Sequence, residues 1–370
     1  MKNVFYLFVL LTFVACKENK PEKVAKVPVV ETPKHWLVFE GSEDNAKHIV
    51  LVSGDEEYRS EEALPQLAKI LSKHHGFKCT VLFAQNPDNP GKVNPNYVKN
   101  IPGLEALDSA DMMILFTRFR ALPDKQMQHF ERFLRAGKPL IGIRTATHAF
   151  NFGHEDVTSF AHYSNGYKGD LIEWMDGFGR LVLGEKWHTH HGHHKHQSTR
   201  GVIAESAVSH PITNGINSGE VWGPTDVYGV RLPLPGDSEP IILGQVINRA
   251  GDFDENDLFF GMRPSDNELA TKNNEDLKVN DVLMPIAWTK SYQIPGGKKG
   301  KAFTSTIGAA TDMLNESVRR LLVNGVFWTM DLPVPEKANV SLVGKYKPSA
   351  YGFKNDGYWL DKNLEVISFQ

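Results

Sequence analysis

Between residues 47 and 144 the chain alternates four short apolar segments with amphipathic ones, and this alternation constrains its fold more than any other feature. KHIVLVSG (47–54), FKCTVLFA (77–84), SADMMILFTRFR (109–120) and KPLIGIR (138–144) are each apolar over a few consecutive residues. Runs of that length suit strands covered on both faces, the condition of a parallel sheet. Between them, SEEALPQLAKILSKHHG (60–76) has apolar residues at helical spacing, a capping signal at Ser60 and a stop at Gly76. LPDKQMQHFERFLRAG (122–137) repeats the pattern. Such units join by right-handed crossovers, which predicts an open, mainly parallel α/β sheet with helices on both faces. VLMPIAW (282–288) and KGKAFTSTIG (299–308) read as late strands, and MLNESVRRLLVNGVFWTM (313–330) as a closing helix. Residues 151–250 form a β- and loop-rich middle insertion, 263–281 a polar one, and the tail after Pro333 has no regular pattern.

The first sixteen residues are of another kind. A basic MKN start, the apolar run VFYLFVLLTFVA and Cys16 follow one another. A membrane-spanning helix needs about 20 apolar residues, so this run reads as a signal-peptide core. Cysteine directly after Ala15 resembles a bacterial lipoprotein cleavage site, which would make Cys16 a lipid anchor; the alternative is a plain secretory signal with an incidental cysteine. The Lys/Glu/Pro/Val-rich stretch that follows suits a tether. The expected organisation is a signal peptide (1–16), a tether (17–46), a folded domain (47–335) and an irregular tail (336–370). The expected place is the cell envelope, on a membrane through the anchor, facing periplasm or medium. Cys79, the second of two cysteines, alternates within a strand pattern and reads as a buried, inert thiol. A net charge of −3 gives no electrostatic case for a nucleic-acid partner.

Open parallel sheets bind ligands beyond the carboxyl ends of their strands. The segments to inspect are therefore GDEEYRS (54–60), TRFR (117–120) and RTATHAF (144–150). Arg118, Arg120 and Arg144 could converge on one crevice and hold an anionic group or polarise a carbonyl. Alternatively, some of them pair with Glu56, Glu57 or Asp111 and only shape the loops. Glu57 is the candidate acid/base carboxylate and Tyr58 a binding residue beside it. His148 falls where the next helix should begin, and a helix N-terminus would keep its imidazole neutral.

GDEEYRSEEALPQLAKIL, the 116–150 segment ending in RTATHAF, the HHG of 190–192, HPITNG (210–215) and the 302–328 segment together resemble the trehalose-utilisation (ThuA-like) family, over about residues 47–335. The resemblance implies a flavodoxin-like sheet of the class I glutamine amidotransferase superfamily and a role in sugar catabolism, in some cases on oxidised (keto) sugars. Where amidotransferases place a nucleophilic cysteine after Gly-Ile, GIRTATH has Arg144, so thiol-based glutamine hydrolysis is excluded. Thr145 and Thr147 flank that turn, without a Gly-x-Ser-x-Gly motif. Many family members carry a histidine where this chain has Gly308-Ala309-Ala310.

WHTHHGHHKH (187–196) holds six histidines. On an extended strand, alternate residues share a face at roughly 6.5–7 Å, close enough for two imidazoles to meet one ion. A turn at Gly192 would fold the two halves together. His188, His190 and His191 are the candidate ligands for a divalent metal, zinc first, since the HHG matches the family pattern; HHKH reads as local elaboration. The alternatives are an exposed loop that binds metal adventitiously, or histidines that recognise substrate without metal. His190 is also a proton-transfer candidate, and Trp187 a surface on which a sugar could stack; Trp174, Trp222 and Tyr228 are further aromatics of that region, and His210 opens a structural turn. No nucleotide cofactor is expected. The chain reads as an enzyme on a small carbohydrate, through elimination, isomerisation or hydrolysis, or else as a non-catalytic lipoprotein that binds glycan or metal.

Overall fold

The computed structural model describes residues 1, 34–42 and 46–370. Cys16, the signal peptide and most of the expected tether lie outside the described residues. Ten strands form one sheet: β1 (Trp36–Phe39), β2 (His48–Gly54), β3 (Lys78–Phe83), β4 (Met112–Thr117), β5 (Leu140–Ile143), β6 (Gln197–Ile203), β7 (Val221–Gly223), β8 (Glu239–Asn248), β9 (Met284–Tyr292) and β10 (Gly300–Ser305). Their order is β1-β3-β2-β4-β5-β10-β9-β8-β6-β7. From β3 to β10 every neighbouring pair is parallel, which is the flavodoxin-like core. The pairs from β10 to β7, and β1 on β3, are antiparallel. The middle insertion thus extends the same sheet, adding β6, β7 and β8 as antiparallel strands beyond β9.

Helices α1 (Ser60–His75), α2 (Ala106–Ser109), α3 (Asp124–Arg135), α4 (Glu316–Thr329) and α5 (Asp356–Lys362) cover the sheet or its edges. Alternation along β2 sorts them. Ile49 and Leu51 join Leu64 and Leu67 of α1 and Leu321 and Leu322 of α4 in one core. Val50 and Val52 join Phe130 and Leu134 of α3 in the other. Cys79 is fully buried in the first core, and burial pushes its thiol far up, so it is inert as expected.

Three local expectations are corrected. Ser60 does not cap α1: the cap residue is Arg59 in a left-handed conformation, and the Ser60 hydroxyl accepts the Asp55 N–H at 3.0 Å. Residues 36–39, inside the expected tether, form β1, because their apolar side chains find an edge on β3. The tail is ordered: Tyr346 donates to the Ala310 carbonyl, Ser349 binds Glu62, and α5 is tied to Asn96. Val340, Tyr351, Trp359 and Val366 are buried with it, but they are single apolar residues scattered among polar ones, so no apolar periodicity announced the docking.

Candidate active site

The parallel strands end side by side at Gly54, Thr117, Ile143 and Ser305, and the loops that follow build a cavity of about 310 Å³. Asp55, fully buried, organises the first loop. Its Oδ1 accepts the backbone N–H of Glu57 at 2.8 Å and that of Tyr58, while its Oδ2 accepts the Thr145 hydroxyl at 2.6 Å. The tight turn so formed presents Glu57 to the cavity. After β4, Phe119 takes a left-handed φ of 49° and gives its N–H to the His148 carbonyl at 2.9 Å, which fastens this loop to the one after β5.

Arg144 opens the turn after β5 and keeps a left-handed φ of 46°. Its guanidinium donates to the carbonyls of Asp226 and Thr306, both at 2.7 Å, to Asp226 Oδ1 at 3.0 Å and to the Tyr58 hydroxyl at 3.1 Å. The rings of Tyr58 and Tyr228 lie 4.4 and 3.9 Å from it. Arg120, with no exposed surface, is bound to the carbonyls of Pro95, Tyr97 and Arg118 and to Glu56. Both arginines are held beneath the site: every nitrogen of Arg120 is bonded, and in Arg144 only Nε lacks a partner. Arg118 alone of the three lines the cavity, held by Glu56 and 3.9 Å from Glu57.

The histidine run turns back on itself. His190 bridges to Tyr228, His191 and Gly192 give their N–H groups to the Val227 carbonyl, and the His196 N–H returns to His193. The turn brings the His194 ring to 5.1 Å from that of His190. Asp226, also without exposed surface, accepts from Nδ1 of His190 at 2.7 Å and from Nδ1 of His194 at 3.1 Å. His194 Nε2 lies 3.3 Å from Glu57 Oε1. Glu57, His194, Asp226 and His190 therefore form one continuous polar chain, three of them on the cavity wall and Asp226 buried behind it on the floor.

Burial, reinforced by the Asp55 charge, pushes the Glu57 carboxyl up to about 7. Burial, with Arg118 and Arg144 nearby, holds His148 well below the usual imidazole range. His148 is thus neutral, as expected, but the cause is different: it ends a short 3-10 turn (Arg144–His148) and is packed against Phe119, Trp187 and Tyr228. Burial opposes a charge on His190, yet the Asp226 hydrogen bond and charge prevail and raise it. For Asp226, burial is overcome by Arg144 and the two histidines, which hold it far below the usual carboxylate range.

Of the expected residues, Glu57, Arg118, His148, Trp187 and His190 share the cavity. Tyr58, Arg120 and Arg144 support it from below. The proposed ligand set His188, His190 and His191 does not converge. His188 and His191 face a separate groove with Val230 and Leu277, so the strand alternation that would keep His188 on the His190 face does not hold here. The imidazole that joins His190 is His194, from the half of the run read as elaboration. Nitrogens of His190 and His194 and an oxygen of Asp226 lie within 4.8 Å of one another, and these are the described residues able to gather around a divalent ion. Thr145 and Thr147 are buried in hydrogen bonds to Asp55 and to the Arg144 carbonyl. His210 accepts the Ile212 N–H, and Trp174 and Trp222 are buried. Asp226, Lys195 and Phe353 were missed: Lys195 lies in the half of the histidine run read as elaboration, Phe353 in the tail, and Asp226 in the irregular WGPTDVYG stretch, of which only Tyr228 was singled out. A larger recess of about 530 Å³ lies at the opposite strand ends, where Lys47 and Lys301 are paired with Asp111 and Asp331. It is on the wrong side of the sheet for the ligand site of such a fold.

No curated protein matches this chain. Among solved structures it is similar to a ThuA-like protein of Bacteroides uniformis (13% identity, 78% of this chain and 94% of that one, TM-score 0.45). It is also similar to a ThuA-like protein of Parabacteroides merdae (13% identity, 84% and 98%, TM-score 0.40). Residues 48–329 match the ThuA family, described as trehalose utilisation. The chain belongs to the ThuA family.

Proposed function

We propose that this chain is an enzyme of carbohydrate catabolism that moves protons on a sugar or its keto derivative, held at the cell envelope through Cys16. The observation that carries the catalytic reading is the polar chain Glu57–His194–Asp226–His190, opening beside neutral His148 in one cavity. A carboxyl with a pKa near neutrality is present in both forms at working pH, which is what acid–base exchange requires. The family description supports a carbohydrate as substrate. The N-terminal sequence supports the envelope location.

On a keto sugar, the Glu57 carboxylate takes the proton from the carbon next to the carbonyl. Arg118 stabilises the oxygen as it becomes negative, with His190, whose charged form Asp226 favours, beside it. In an isomerisation, neutral His148 takes the hydroxyl proton and passes it to the newly formed hydroxyl, while Glu57 returns its proton to carbon. In an elimination, the proton on Glu57 goes to the departing hydroxyl, which leaves as water. Hydrolysis uses the same groups on water. Among the described residues, Arg144 at the elbow and Cys79 buried inside β3 leave no thiol at the cavity for glutamine hydrolysis.

A second reading, in which zinc or another divalent ion assists, is favoured by the clustering of His190, His194 and Asp226. Against it, Asp226 already accepts from Arg144 and both imidazoles. Elemental analysis and turnover on disaccharides and their keto forms, before and after chelation, separate the two. The metal-free reading expects unchanged turnover after chelation and a fall of about 10²–10⁴-fold in Glu57→Gln. Wild-type turnover in Glu57→Gln defeats the acid–base reading, and binding without product in the wild type points to a glycan-binding protein.

A further inference from the structure

The C-terminal segment is the least expected part of the cavity wall. It lies beyond the matched residues 48–329, yet Phe353 lines the cavity. The Phe353 ring sits 4.8 Å from the Arg118 guanidinium and remains 57% exposed. The segment that carries it is fixed on both sides. Gly352 gives its N–H to the Glu57 carbonyl at 2.8 Å, and its own carbonyl accepts from Arg59 at 2.6 Å. Tyr351, 3% exposed, packs 5.3 Å from the Tyr58 ring and 5.4 Å from that of His194, with its hydroxyl on the Pro224 carbonyl. Gly352 has a φ of 136°, and a Cβ there would meet Lys195 Nζ at 3.0 Å, so the approach to Phe353 requires glycine. Beyond it, Asn96 binds Asp356 at 2.8 Å and Trp359 at 3.2 Å.

We propose that Phe353 is a stacking platform for the outer ring of a disaccharide or longer glycan, built by the C-terminal segment at the mouth of the cavity. This rests on the sugar-active reading above. Glu57 and His148 are 6% and 3% exposed and mark the depth at which the reacting ring sits. Phe353, far more open, is reached by a second ring. An aromatic ring offers the apolar C–H face of a pyranose a flat partner, and a pre-ordered one loses little freedom on binding. The two backbone bonds at Gly352 supply that order and tie the platform to the loop that carries Glu57.

The test uses the full chain with Phe353→Ala and Phe353→Trp, a panel of glucose disaccharides with their keto forms, and the matching monosaccharides. Phe353→Ala should raise KM for disaccharides about tenfold, with kcat, its pH profile and the melting temperature unchanged. Monosaccharide KM should stay the same, and Phe353→Trp should restore disaccharide binding. Equal losses for mono- and disaccharides, or no loss, overturn the platform. So does a shifted pH profile, which means the ring acts through Arg118 and Glu57. If no sugar turns over, calorimetry distinguishes the claims. Disaccharide binding weakened in Phe353→Ala keeps the platform while the catalytic reading falls. No disaccharide binding to the wild type overturns the platform too.

Discussion

The floor and the wall of the cavity use the same residue types to different ends. On the floor, Arg120, Arg144 and Asp226 are fully buried, with the guanidinium donors aimed at carbonyls and carboxylates. On the wall, Arg118, His190, His194 and Glu57 keep part of their surface open to the cavity. A charge sealed with its partners cannot change state during a reaction, so it serves as scaffold. A charge left with one open side can exchange protons or meet a substrate. Three arginines in two loops therefore do not make a three-arginine anion site; one faces the cavity and two hold the loops in place.

The largest effect should come from breaking the floor. Arg144→Met leaves Asp226 buried opposite no arginine, and a loss of about 3–5 kcal/mol is expected in urea unfolding. A loss below about 1 kcal/mol would mean the floor relaxes and the division between floor and wall is wrong. Within the histidine run the contrast is one of function. His194→Ala cuts the chain between Glu57 and Asp226 and should lower turnover at least about tenfold. His188→Ala, in the separate groove, should leave turnover at the wild-type value. Equal losses in the two would return both histidines to one site.

The smallest effect sharpens the account of Glu57. Its pKa rises from 4.5 to about 7 on folding, so between those values the folded chain binds more protons than the unfolded one. Stability then falls as pH rises from about 4.5 to about 7 and levels off above. Glu57→Gln removes that fall. The variant should match the wild type below about pH 4.5 and exceed it by up to about 3 kcal/mol at pH 8, while losing turnover. Parallel stability curves for the two proteins across that range would show that Glu57 is not held in the raised state.

The parallel half of the sheet was legible because its strands are short, largely apolar segments, and β2 and β4 are each followed by an amphipathic helix. Of the antiparallel half, β9 was legible in VLMPIAW, while β6 to β8 were seen only as a β-rich region, since strands such as β6 (QSTRGVI) mix buried and half-buried positions without a clean period. In the site, Glu57, Arg118 and His148 were legible because they follow parallel strands, where loops must meet. His190 was found by family pattern. His194 was missed because histidine count and motif spacing do not say which way a turn at Gly192 brings the second half back.

From residue order alone came the parallel core, the inert Cys79, the arginine in place of a nucleophile and the loops that border the site. Those properties follow from local periodicity and from the fixed position of loops at strand ends. Tertiary structure decided which charges are sealed and which are open, that Asp226 joins His190 to His194, and that a tail without a periodic signal returns to line the cavity. These depend on contacts between segments distant in sequence, such as Arg144 with Asp226 and Gly352 with Glu57. Burial, the quantity that sets each charge's role, exists only once those segments have met.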